Sequence, residues 1–63
     1  MRFIEFEDSK GNKVFLNPVN IAYIKFYKEE RTTVYFNSTL TVGLTYITVK
    51  GSVEQTASKL QIN

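Results

Sequence analysis

The groups in this chain that could do covalent chemistry are few. Histidine and cysteine are both absent, which removes imidazole acid–base catalysis, thiolate nucleophiles, disulfides and nearly all zinc sites. The carboxylates are Glu5, Glu7, Asp8, Glu29, Glu30 and Glu54. Three of them crowd the stretch "EFED", where Glu5 and Glu7 would share one face of a strand. Such a cluster could attract a hard cation, but cation cages recruit more oxygens from a shaped loop. Charge that blunts a sheet edge is the simpler role. Glu29-Glu30-Arg31 reads as a solvated turn tip. An enzyme needs an acid–base pair gathered in a pocket, and these carboxylates lie mostly at strand ends and turns. The expectation is a non-enzymatic protein with no cofactor and no metal.

Aromatic residues are abundant instead. The segment "IAYIKFYKEERTTVYF", residues 21–36, carries Tyr23, Phe26, Tyr27, Tyr35 and Phe36. A strand covering one core needs apolar residues on one face only; here both faces are apolar or aromatic.

The elements that position these residues follow from short β-branched and aromatic runs broken by turn signals. "RFIEFE" and "KVFLN" flank "DSKGN". Pairing Phe6 with Val14, Ile4 with Leu16 and Glu7 with Lys13 leaves a Ser9-Lys10-Gly11 loop, with glycine where a type I turn plus bulge needs positive φ. "NPVN" breaks the pattern, since Pro18 cannot donate to a ladder and holds Asn17 extended. In the next hairpin, Ile24 and Phe26 face inward opposite Val34 and Phe36 only if the loop has an odd number of residues. Glu29-Glu30-Arg31 is that loop, although it lacks glycine. "NSTLTVGL", residues 37–44, fits either an extended strand or a loop. "TYITV" restores alternation, with Ile47 and Val49 inward. Then the period changes: Ser52 and Gln55 form a capping box, Glu54 and Lys59 suit the helix dipole, and Val53, Ala57 and Leu60 make one stripe.

The predicted fold class is α+β, a single antiparallel sheet of four to five strands with one C-terminal helix packed across one face. Strands are expected over about 2–7, 13–17, 21–28, 32–37 and 45–50, and the helix over about 53–61, all in one small domain. The opposite sheet face then carries Phe3, Phe15, Tyr23, Tyr27, Tyr35 and Tyr46, among Glu5, Lys25, Thr33, Thr48 and Lys50.

A chain of 63 residues buries only about 60% of its unfolded surface, and domains of this size often lean on a partner subunit. Eight basic and six acidic residues give a net charge of +2, well short of a duplex-DNA binder's basic footprint. Neither a signal-peptide segment nor a run able to span a bilayer is present, so a cytoplasmic protein without membrane insertion is expected. The aromatic face has three competing uses. It is a solvated sheet surface, a protein-contact surface joining copies into a dimer or larger homo-oligomer or binding another protein, or a platform for single-stranded nucleic acid, with bases on the tyrosines and phosphates at Lys25 and Lys50.

The runs "VFLNPVNIAYI", "TTVYF" and "ITVKGSVEQTASKL" together resemble the small flagellar-operon proteins called FlbD, on the Asn17-Pro18 break and the Ser52 capping box. The "NSTLTVGLT" segment is longer and less polar than that family's tight turn. The resemblance implies a small non-enzymatic accessory protein acting through protein contacts. The strand order is also similar to the β-β-β-β-α modules of PUR-type and Whirly-type proteins, which implies single-strand binding on a sheet by dimers or larger assemblies.

Overall fold

The first hairpin follows directly from its turn chemistry. In a computed structural model describing residues 2–37 and 45–60, β1 (Ile4–Glu7) pairs antiparallel with β2 (Lys13–Leu16). Ile4 lies opposite Leu16, Phe6 opposite Val14 and Glu7 opposite Lys13. Gly11 has φ 88° and donates its N–H to the Asp8 carbonyl at 3.0 Å, while Asp8 N–H reaches the Asn12 carbonyl at 2.8 Å. The Asp8 carboxylate accepts the Lys10 and Asn12 amides at 2.9 and 2.8 Å, the Asx-type arrangement that makes aspartate a turn residue. These bonds, the Asn12 amide foremost, hold the Asp8 carboxyl below its ordinary value. Their contribution is complete above the usual carboxylate range and is lost as pH falls through the lowered value.

A 3-10 turn at Pro18–Asn20 then redirects the chain, capped by the Asn17 side chain, which accepts the Val19 amide at 3.1 Å. Three strands follow: β3 (Ile21–Lys28), β4 (Arg31–Phe36) and β5 (Tyr46–Lys50), paired antiparallel in the order β3-β4-β5. The expected single sheet is therefore two sheets among the described residues, one of two strands and one of three. An isolated bridge from Asp8 to Val49 links them, with an ion pair between Glu7 and Lys50 at 2.7 Å. Residues 38–44, which include most of "NSTLTVGL", lie outside the described residues.

The second hairpin departs from expectation in register. Ile24 lies opposite Val34 and Phe26 opposite Thr32, two residues from the pairing that a Glu29-Glu30-Arg31 loop would impose. Arg31 belongs to β4 and pairs with Lys28. Glu30 takes the left-handed position at φ 58°, where glycine is the residue without steric cost. The ladder also shifts between Ile21 and Tyr23 and again between Phe26 and Lys28. Ala22 and Tyr27 are the extra residues, as in a β-bulge. The first shift lets Ile21 and Ile24, three apart, both pack against the core, which a regular strand forbids. Phe26, expected in the core, is instead 65% exposed.

Helix α1 (Val53–Leu60) begins at the capping box. Ser52 N–H reaches Gln55 Oε1 at 3.0 Å and Gln55 N–H reaches Ser52 Oγ at 3.1 Å. The helix packs on β3 and β4 and contributes Leu60 to a core of Phe6, Leu16, Val34, Val49 and Leu60. Ile4, Val14, Phe36 and Ile47 surround that core. Two threonines are buried with it. Thr32 donates its hydroxyl to the Gly51 carbonyl at 2.9 Å, and Thr56 Oγ1 has no partner among the described residues. Among the described residues no helix is long and apolar enough to cross a membrane.

Candidate interaction face

Alternation and register together assemble the outer face of the three-stranded sheet. Tyr35 on the central strand lies opposite Tyr23 on β3 and opposite Tyr46 on β5. The Tyr23 and Tyr35 rings stack at 4.5 Å between centroids and 19° between planes; Tyr35 and Tyr46 are tilted by 46° at 5.6 Å. The row is a cross-strand ladder of the kind that stabilises sheets by up to about 1 kcal/mol per pair. Its rings lean on one another, so Tyr35 has an aromatic neighbour on each side.

The next row is Lys25, Thr33 and Thr48. Thr33 is only 6% exposed although it faces away from the core, because the surrounding side chains cover it. Its hydroxyl lies 3.5 Å from that of Thr48. A third row pairs Arg31 with Lys50, and Tyr27 joins it through the second ladder irregularity. Lys28 Nζ stands 5.5 Å from the Tyr27 ring centre, within cation–π range. Between these rows lies an open depression of about 620 Å³ lined by Tyr27, Lys28, Arg31, Thr33, Tyr35 and Tyr46, together with Ser9 and Thr48. Among the described residues its lining holds two cations and no carboxylate.

The structure thus brings Tyr23, Tyr35 and Tyr46 into contact and sets Tyr27 beside them. It does not bring Phe3 and Phe15 to the depression. Both are exposed, Phe15 lies on the other sheet opposite Glu5, and Phe3 precedes β1. Of the two lysines expected to meet phosphate, Lys25 stands beside the tyrosine row, while Lys50 is engaged by Glu7.

The acidic cluster near the start is consumed by local structure. Glu5 pairs with Lys13 at 3.7 Å, Glu7 with Lys50, and Asp8 with its own turn. No group of three or more metal-ligating side chains occurs among the described residues. Missing from the sequence reading were the cationic pair Lys28 and Arg31. Their signal was available in "YKEER", where charges alternate about the turn, but their face depends on a bulge that has no sequence mark.

Compared with protein-family models, curated proteins and solved structures, the chain matches none.

Proposed function

We propose that this chain is a non-enzymatic interaction module that works by protein contact and self-associates through the outer face of its three-stranded sheet. The observation that carries this reading is the laddered tyrosine row beside Lys28 and Arg31. Tyrosine and arginine are the residues enriched where proteins meet, because each joins apolar area to a polar tip. Among the described residues the core rests on five buried apolar side chains, and a domain this small gains from burial against a partner. Strand addition at the outer edge of β3 is less favoured. That strand carries two lysines and two ladder irregularities, the devices that discourage edge pairing.

Single-stranded nucleic acid is the second reading, favoured by the absence of carboxylates around the depression. Two features weigh against it. The flanking rings occupy the faces of Tyr35 that a base would stack on, and the Glu7 carboxylate neutralises Lys50.

Sedimentation equilibrium across protein concentration tests the proposal. The unaltered protein is expected to self-associate, and Tyr27→Ala with Tyr46→Ala to weaken association at least ~30-fold, equivalent to about 2 kcal/mol. Both rings are more than half exposed, so the fold is expected to survive; circular dichroism checks that. Association unchanged in the double variant would remove this face from the interface. An oligonucleotide titration that shows affinity falling steeply with salt, and no self-association, would favour the second reading.

A further inference from the structure

On the other side of the second hairpin lies a groove of opposite character. Ile24 and Phe26 meet Val53, the first residue of α1, and Glu29, Glu30 and Glu54 stand around them. The space is about 440 Å³, and Lys25 and Ser52 complete its lining. Its lining thus includes three acidic residues and one lysine. Phe26 is exposed here because the helix, which packs on β3 and β4, leaves it uncovered. An aromatic ring left open at a core-facing register, with an acidic rim, suits an apolar group accompanied by positive charge.

The outer face carries such a group. Tyr27 is exposed and Lys28 Nζ lies over its ring, so ring and ammonium form a single projecting unit. Tyr27 and Phe26 are neighbours in sequence but line different depressions. A symmetric contact of outer face on outer face would bring together two depressions lined by Lys28 and Arg31 and by no acidic residue among the described ones, and like charges so gathered are repulsive.

We infer that the occupant of the groove is a second copy of this chain, whose Tyr27 ring enters against Phe26, Ile24 and Val53 while its Lys28 ammonium meets Glu29, Glu30 and Glu54. This rests on the outer face being the assembly surface. The two contacting surfaces differ, so the contact is heterologous and copies join head to tail into a ring or an open chain rather than a closed two-fold dimer.

Two complementary variants test it. Tyr27→Ser with Lys28→Glu removes the projecting unit and leaves the groove. Glu29→Lys with Glu54→Gln alters the groove and leaves the projecting unit; both positions are exposed, and circular dichroism verifies folding. For the unaltered protein, sedimentation equilibrium is expected to show masses beyond dimer as concentration rises. Each variant alone is expected to associate at least tenfold more weakly. An equimolar mixture is expected to form a one-to-one pair that grows no further, since one member retains only the groove and the other only the projecting unit. A groove variant that assembles like the unaltered protein would overturn the head-to-tail contact. If the tyrosine variants still dissociate it, the outer-face reading survives that result. An unaltered protein that stops at dimer would likewise replace the head-to-tail arrangement with a two-fold one. A monomer at every concentration would overturn both.

Discussion

Phe6→Ala is expected to leave the chain largely unfolded at 25 °C. Phe6 is 3% exposed and sits in β1 opposite Val14, where the first hairpin joins the core. Lys59, near the end of α1, donates to the Glu5 carbonyl and holds its ammonium 4.2 Å from the Phe6 ring centre. The ring thus receives strand, helix and cation together. Truncating a buried phenylalanine costs about 3–5 kcal/mol, and a single core in a domain below about 70 residues seldom supplies more than that. The two quantities are equal in size, so no margin remains. Far-UV circular dichroism at 25 °C and through a thermal melt reads the result. A cooperative melt within about 5 °C of the unaltered protein, equivalent to roughly 1 kcal/mol at this size, would show that Phe6 is not central. Phe26→Ala is the control. It removes the same side chain from the same kind of alternating strand, yet Phe26 is solvent-exposed, and exposed substitutions usually change stability by about 0.5 kcal/mol or less.

Gly51→Ala is expected to lower the melting temperature by roughly 4–24 °C. Gly51 has φ 113°, a conformation that costs an L residue on the order of 1–3 kcal/mol. The backbone cannot easily rotate away, because it is held at both ends. Its N–H donates to the Glu30 carbonyl at 2.9 Å and its carbonyl accepts the Thr32 hydroxyl at 2.9 Å. An added methyl would stand 3.4 Å from Gln55 Oε1, the atom that caps Ser52 N–H, at the near edge of ordinary contact, so the cost is mainly that of the backbone. At about 4–8 °C per kcal/mol for a domain of this size, that backbone cost corresponds to roughly 4–24 °C. Gly11 offers the comparison, with φ 88° and only Glu7 Oε2 near its added methyl, at 3.5 Å. Gly11→Ala bears a backbone cost of the same kind. Calorimetry decides; a Gly51→Ala melt within about 3 °C of the parent would mean that the junction relaxes freely.

Some of this was legible from residues alone. The "DSKGN" turn and the Ile4, Phe6, Val14, Leu16 alternation determine the first hairpin's register, because a one-residue slip would turn one strand's apolar pair to the face opposite the other's. The capping box marks the helix start, since Ser52 and Gln55 satisfy each other's amides. The second hairpin was less legible. Its turn bends at Glu30 without glycine, and the irregularities at Ala22 and Tyr27 change strand parity with no compositional trace. Phe26 nevertheless keeps the core-facing side it shares with Ile24 and is exposed because the helix does not reach over it. Buried threonines were equally silent, because a hydroxyl reads as solvated until a specific acceptor appears, as the Gly51 carbonyl does for Thr32. The tyrosine row of the candidate face was readable from alternation; the separation of Phe3 and Phe15 from it was not. That depends on β1 pairing with β2 in a sheet apart from β5, joined to it through the Asp8–Val49 bridge and the Glu7–Lys50 ion pair.

The same connectivity bears on the order of events in folding. Helix α1 returns over β3 and β4, but each strand ladder joins consecutive strands, β1 with β2, β3 with β4 and β4 with β5. Such pairings close short loops at small entropic expense. The contacts from Glu7 and Asp8 to Val49 and Lys50 instead span most of the chain. The long closure is thus expected to come late, after the three-stranded meander and helix have formed. Weakening it with Glu7→Gln should then accelerate unfolding while leaving the folding rate nearly unchanged. Stopped-flow chevrons separate the two limbs, and a loss confined to the folding limb would place the closure in the transition state.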